Sequence, residues 1–352
     1  MPGRRWLVSL ITGCCAFLAG CDPFASAEST MDEYLVRLAR VLETPEIARE
    51  ALPPAELLPR RRDRLIPLPE LDMGMLDFLS LYGCELQYVV GERNSVMGKV
   101  MAPTNQLRYE VRFIRAAEAC LPEIDNDELV QALNKAIQSK RESLPLAVWN
   151  ATWGVEEVER QFTLSKGYFP MAGKDNPAAN LARDLQQLNR IVAELLAGDV
   201  GVGLDALGPI QQRWQAEYLA GQAINSARLL ISTLDAGTRL LAARLEERPL
   251  CLNGNPNNQS AVVQNFFFNI YIEKIQPYMS VVSRARDTLV HGFDQLARQQ
   301  QAVMPEVFLP WHQRHLSVTS PASLWQELDR SMMAHTRHWQ DLLGQCGLRP
   351  GA

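Results

Sequence analysis

The 352-residue chain contains no Gly-x-Ser-x-Gly, no His-Glu-x-x-His and no Ser-x-x-Lys. It therefore lacks the sequence signals of a hydrolase elbow, a zinc peptidase helix and a penicillin-binding nucleophile. The Glu-x-x-His of di-iron bundles is missing, and so is any Cys-x-x-Cys. Paired carboxylates cannot be located without a fold, so no catalytic residue, metal ligand or cofactor is assigned, and the enzyme question leans towards no. There is no excess of positive charge either. With 35 Lys and Arg against 40 Asp and Glu the net charge is −5, which argues against nucleic acid as a partner. The apolar run from Trp6 to Ala19 is shorter than the about 20 residues needed to cross a bilayer.

That run does have a recognisable setting. Arg4 and Arg5 precede it, and Leu18-Ala19-Gly20-Cys21 follows, giving the three-part layout of a secretory signal that resembles a bacterial lipobox. The resemblance implies that residues 1–20 are removed, that Cys21 is diacylated on sulfur with chains of the palmitate class, and that its freed amine is acylated as well. Two or three chains anchor a protein stably where one does not. The implied location is the bacterial envelope, lipid-anchored and facing the periplasm. The implied partners are the bilayer, through acylated Cys21, and another envelope protein. Asp22 resembles the signal that keeps some lipoproteins at the inner membrane, which favours that membrane slightly over the outer one.

Removal of residues 1–20 leaves 332 residues and takes the charge from −5 to −7, because Arg4 and Arg5 go and no acid does. This is enough for one large or two small cores at about 100–200 residues per domain. Setting aside Cys14, Cys15 and Cys21 leaves Cys84, Cys120, Cys251 and Cys346. An even number in an exported chain points to two disulfides, with free buried thiols and metal ligation as the alternatives.

After a short polar tether, Thr30-x-x-Glu33 reads as a capping box, and Met31, Tyr34, Leu35, Leu38 and Leu42 keep helical spacing to about Glu43. Pro45, Pro53, Pro54, Pro59, Pro67 and Pro69 then predict an extended surface strap, with at most a short helix at its start. Within it, Arg60, Arg61, Arg62 and Arg64 either touch anionic headgroups or pair with the acidic body, and the second is favoured. The chain thus divides into a signal (1–20), a lipidated tether with first helix and strap (21–70), and a helical body (71–352).

Asp72 is placed as the cap of a helix of almost 30 residues through Met75, Leu76, Leu79, Leu86, Val89, Val90, Val96, Met97, Val100 and Met101. Pro103 stops it and Thr104 caps the returning helix. Gly83, Gly91 and Gly98 would form one stripe on the outgoing helix, against which another backbone packs closely. Between them Arg93, Asn94 and Ser95 make a polar patch, level with Tyr109, Glu110 and Arg112 on the returning helix. The six residues form either a binding site for a polar headgroup or carboxylate, with Arg93 as the donor fork, or a satisfied polar layer that fixes register. The layer is favoured.

Tyr34-x-x-Arg37-Leu38, Leu86 through Arg93-Asn94-Ser95-x-Met97-Gly98-Lys99, Leu107-x-Tyr109-Glu110, Ile275-Gln276-Pro277-Tyr278 and His335-x-x-x-Trp339-Gln340 together resemble a family of proteobacterial lipoproteins known only as a domain of unknown function, the 3080 family. The likeness spans nearly the whole mature chain. It implies one unit and lends no activity, since no catalytic residues are assigned to that family.

Asp125-x-x-Glu128 opens another helix, which ends near Ser143. Pro145 then opens one carrying Trp149 and Trp153, either a sugar-stacking platform or, more plainly, core. Asn176-Pro177 starts a helix through Leu181, Leu185, Leu188, Val192, Leu195 and Leu196, closed by Gly198. The following Gly201-x-Gly203-x-x-Ala206 comes after a helix instead of a strand, which argues against a dinucleotide site. From Pro209 to Arg248 the periodicity predicts a single rod of about 60 Å. Phe266 to Ile272 taken alone reads as a buried strand, but its continuation through Leu296 keeps helical spacing, so a long helix kinked at Pro277 is expected. His312, His315, His335 and His338 form two His-x-x-His pairs, read as surface and core histidines in preference to metal ligands. Ser320-Pro321 starts the terminal helix.

If one helix runs to Met101 and the next starts at Thr104, Cys84 and Cys120 lie at nearly equal distances from the turn, hence level on neighbouring helices. Cys84 is paired with Cys120 on this ground, and Cys251 with Cys346 by elimination. The expected fold is all-α: an elongated, single-domain bundle of long antiparallel helices with a Pro-rich strap. The expected role is an envelope interaction or accessory protein. The alternatives are a carrier of a hydrophobic ligand, or an enzyme acting on lipid or peptidoglycan.

Overall fold

The Ser26 side chain accepts a hydrogen bond from the Ser29 amide and so opens helix α1 (Ala27–Leu42). The structure, a computed structural model, describes residues 26–69, 83–95, 100–171 and 178–349. The signal, Cys21, Asp72, Met75, Leu76, Leu79, Val96, Met97, Gly98 and Asn176-Pro177 lie outside the described residues. The helix start expected at Thr30 moves back to Ser26, which meets the free donors of the first turn, while the Thr30 hydroxyl bonds the Ser26 carbonyl at 3.2 Å. Met31, Tyr34, Leu35, Leu38 and Leu42 are its buried face.

The strap from Thr44 to Pro69 is extended apart from one turn, α2 (Arg61–Arg64), which lies late in the strap and not at its start. The continuous helix of almost 30 residues expected next is interrupted at Gly83-Cys84 and at Ser95, and between these breaks stands α3 (Glu85–Asn94). Gly83 has φ +91, Cys84 is extended, and Ser95 is extended again with its hydroxyl on the Glu92 carbonyl at 2.7 Å. Such a side-chain bond competes with the helical ladder and gives the chain an exit at its most polar point. The glycine stripe is corrected with it, since Gly83 stands outside the helix and Gly91 is exposed.

Pro103 begins α4 (Pro103–Cys120), in the first turn where a missing N–H costs little; Thr104 bonds Gln211 instead of capping. Asn126 caps α5 (Asp127–Trp153), which returns antiparallel along α4. Pro145 lies inside α5 and does not start a new helix. It removes one backbone donor, and burial of Leu144, Ala147, Val148 and Trp149 holds the helix through that point. The short α6 (Glu156–Gln161) follows, then α7 (Ala179–Leu196), closed by Gly198 at φ +89.

The predicted 60 Å rod is two helices, α8 (Leu207–Trp214) and α9 (Leu219–Glu247), the longer of about 44 Å at 1.5 Å per residue. Periodicity does not show the break, because Trp214 turns fully into the core and Gly221 presses on the backbone at Thr163, where a Cβ would strike the carbonyl oxygen. From Asn258 to Arg298 the chain is one helical rod: α10 (Asn258–Phe266), wide π-type turns at Phe267–Ile275, α11 (Gln276–Ala285), a second π stretch at Arg286–Val290, and α12 (His291–Arg298). The Phe-rich run is thus helical, and Pro277 sits in the first turn of α11. α13 (Leu309–His315) and α14 (Leu324–Gly344) complete the all-α body, with Ser323 and not Ser320 capping α14. No strand occurs among the described residues.

Contacts along the helices fix their directions. Gly237 meets His335 and Cys251 meets Cys346, so α9 and α14 run parallel. Leu38 beside Gly237 and Glu43 on Arg248 place α1 parallel to them. The rod is antiparallel to α9, since Asn257 bonds Leu250 and Tyr278 bonds Ser226. Cys84 and Cys120 stand as disulfide partners with α-carbons 5.9 Å apart, and Cys251 and Cys346 at 5.2 Å.

Candidate functional site

Three groups of polar side chains lie inside this framework. The first holds the residues singled out on α3 and α4. Glu110 is buried and pairs with Lys140 Nζ of α5 at 2.7 Å, and Gln106 bonds its other oxygen. The Lys140 ammonium lies 5.3 Å from the Tyr109 ring and the Arg93 guanidinium 5.8 Å. Burial pushes the Tyr109 hydroxyl up to about 12, Glu110 adds to this, and Arg93 opposes it. Arg112 pairs with Glu92 at 2.9 Å on the surface, and Ser95 is tied to its own helix end. The Asn94 side chain lies outside the described set. The structure therefore brings Arg93, Tyr109 and Glu110 together around a lysine that the sequence did not single out. A buried ion pair bracketed by an aromatic ring is suited to fixing helix register.

The second group is at the crossing of α1, α9, α14 and the rod. Tyr34 Oη lies 2.7 Å from His335 Nε2, and Trp339 Nε1 donates to the same nitrogen at 3.1 Å. An indole N–H only donates, so Nε2 is an acceptor and the proton is on Nδ1, facing Thr238 Oγ1 at 3.2 Å. Gly237 leaves the room the imidazole needs. Burial first, then His338, lowers the His335 pKa to about 3, and burial raises Tyr34 well above the usual phenol value. The group is closed in by Phe266, Phe267 and Tyr271.

The third group opens to solvent. Asp294 of α12 accepts from His312 Nε2 at 2.7 Å on one oxygen and from Arg298 Nε at 2.9 Å on the other. Because a carboxylate only accepts, His312 Nε2 carries a proton, and Nδ1 has no partner although the residue is only 7% exposed. His312 lines a cleft of about 420 Å³ with Gln301, Met304, Gln313, Ser317 and Thr319. The Ser317 hydroxyl accepts from the Ser320 amide at 3.1 Å, and no hydroxyl reaches Nδ1. The arrangement is an oriented imidazole with one ring nitrogen open to a hydrogen-bond partner; it is not an assembled nucleophile and base.

The His-x-x-His pairs do not act as units. His315 is buried with its pKa lowered to about 4, by burial first and then by Arg314 and Arg228, while His338 Nδ1 lies 2.8 Å from its own helix carbonyl at Ala334. Among the described residues no three His, Cys, Asp or Glu side chains are placed to hold a metal ion. Trp149 and Trp153 stack 6.0 Å apart with no exposed surface, so they offer no sugar platform.

A family model for proteins of unknown function, DUF3080, matches residues 31–350. The chain belongs to this family. No curated protein and no solved structure matches it. Within the DUF3080 stretch the family-like blocks at Tyr34 and at His335 to Trp339 meet in the second group, and the block at Tyr109-Glu110 forms the first. Sequence reasoning missed Asp294 and Lys140, whose partners His312 and Glu110 lie on other helices.

In the arginine cluster of the strap, Arg64 pairs with the acidic body as expected but is buried, not solvated. Arg64 has no exposed surface; its Nη1 donates to the Trp153 carbonyl and its Nη2 to Glu159 at 2.6 Å, while Arg61 donates to the Gly154 carbonyl at 2.8 Å. Both plug the carbonyl end of α5, where the helix dipole favours a cation. Only Arg60 and Arg62 face solvent.

Proposed function

We propose that this DUF3080 chain is a lipid-anchored envelope lipoprotein with an interaction or accessory role. One observation carries the reading: Leu18-Ala19-Gly20-Cys21 follows an apolar run that is preceded by Arg4 and Arg5. The cysteine pattern supports it, because the four cysteines of the body stand in two close pairs, the arrangement expected in an oxidising compartment. Within the envelope Asp22 favours the inner membrane, and the His312 cleft is the open polar site through which such a protein would meet a ligand or partner.

Cys21→Ser tests the anchor. The variant is expected to leave the membrane fraction or to persist as uncleaved precursor. Unchanged processing together with unchanged membrane partition would refute the reading. Crosslinking in intact cells, followed by identification of captured proteins, distinguishes an accessory role from a solitary one.

A further inference from the structure

Near the carbonyl end of α9 lies a buried cation that no carboxylate contacts directly among the described residues, although Glu43 and Glu247 act on it through space. Arg244 is 3% exposed; its Nη1 donates to the Arg248 carbonyl at 2.8 Å, its Nε has no acceptor, and no carboxylate pairs with it among the described residues. A charge taken out of water without a counterion is costly, and native proteins seldom keep one without a use.

The surroundings of Arg244 are those of a binding site. It lines a cleft of about 570 Å³ together with Arg248, Glu43, Leu252, Asn258 and Gln259. Asn258 and Gln259 are the first two residues of α10, a nine-residue helix whose cap, Asn257, takes the Ser260 amide. Helix geometry leaves the amides of residues 258 and 259 without an intrahelical acceptor, and the helix start carries about half a positive charge. The loop between the two helices is rigid. Asn257 Nδ2 donates to the Leu250 carbonyl at 2.9 Å, the Leu250 amide donates to Gln345 at 2.7 Å, and Cys251 stands against Cys346. Glu43 pairs with Arg248 and steadies it, while Glu247, exposed and outside the lining, acts together with Glu43 on Arg244 through space.

We propose that this cleft binds a phosphate group, free or as a monoester, through the Arg244 and Arg248 guanidinium groups and the Asn258 and Gln259 amides. A phosphate monoester carries about −1.5 to −2 at pH 7 and offers several acceptor oxygens to two guanidinium forks and two amides. Arginine forks and helix N-termini are both suited to phosphate oxygens. Leu252, 73% exposed at the rim, offers apolar contact to the organic part of an ester.

The test is calorimetric titration of the full chain in nonionic detergent with inorganic phosphate, against potassium chloride of equal ionic strength. Saturable binding of phosphate is expected, weakened at least tenfold in Arg244→Met and unchanged in Arg239→Met, which removes a half-buried arginine paired with Glu50 outside the cleft. Should Arg244→Met not fold, Asn258→Pro takes its place, since proline is tolerated at the first helical position and removes only the amide donor; several-fold weaker binding is expected. Glycerol 3-phosphate and mixed micelles of phosphatidic acid distinguish a soluble ester from a lipid headgroup, and tighter binding of either supports the site. Absence of saturable binding for all three probes, or equal affinity in wild type and Arg244→Met, would overturn the proposal.

Discussion

Arg64 and Arg244 are both removed from water, and the molecule treats them in opposite ways. Two of the three Arg64 nitrogens reach acceptors, one on a helix-terminal carbonyl and one on Glu159, and the strap around it is bonded in turn. Trp149 Nε1 donates to the Arg64 carbonyl at 2.8 Å, and Asn150 exchanges two bonds with the Ile66 backbone. Arg244 has one backbone acceptor and no carboxylate. A buried charge whose partners are present holds structure together, whereas one left short of partners keeps capacity for a ligand. The same contrast separates His335, with both ring nitrogens engaged, from His312, with Nδ1 bare.

The largest effect is expected on the Arg64 side. Arg64→Ala leaves Glu159 without its cation and the end of α5 with Arg61 alone, and opens a void under the strap, at a cost of about 3–5 kcal/mol. Urea melts of the purified protein measure it. A loss below about 1 kcal/mol would remove the distinction between the two arginines, because both would then be dispensable to the fold.

Next comes pH. His335 and His315 have folded pKa values of about 3 and about 4, below the unfolded 6.5. Below pH 6.5 the unfolded chain therefore binds more protons than the folded one, so stability present at neutral pH is lost as pH falls. Both histidines contribute down to about pH 4 and His335 alone to about pH 3. Each adds a slope of up to about 1.4 kcal/mol per pH unit. Carboxylates titrate in the lower part of this window, so the informative quantity is the difference in slope between wild type and His335→Gln from pH 6 to 5. Identical slopes would mean that the imidazole is not held neutral by its surroundings.

How much of this was legible in the sequence depends on the range of the interaction. The buried faces of α1 and α7 follow from spacing alone, since Tyr34, Leu38, Leu185 and Leu188 fall where a 3.6-residue period puts them. Helix ends were less readable. Pro145 does not end α5 because packing on both sides outweighs one lost donor, and Ser95 ends α3 although apolar spacing continues past it. The arginine run of the strap looks like solvated surface until the carbonyl end of α5 is brought to it, and that residue pair is 89 positions apart. Asp294 and His312 were likewise invisible as a pair, being on α12 and α13 with nothing in their local pattern to join them. Local period carries the elements, while the polar sites are assembled by tertiary contacts that no window of sequence contains.

The smallest effect, and the sharpest test of the contrast, is the stability of Arg244→Met without ligand. Methionine is unbranched and flexible enough to fill the space of the arginine stem, and it removes a guanidinium that lacks an anion. Replacing buried charge by a packed apolar side chain is often neutral, or stabilising by about 1–4 kcal/mol. Against this stands one lost bond, Nη1 to the Arg248 carbonyl, worth about 1.5–3 kcal/mol for a charged donor. The two nearly cancel, so a change within about 1 kcal/mol of wild type is expected in phosphate-free buffer, where Arg64→Met should still lose well over that amount. Melts of both variants, with and without phosphate, place the two arginines on one scale. If Arg244→Met alone proved as damaging as the Arg64 variant, Arg244 would be a second structural anchor, and the opposition between the two buried arginines would fail.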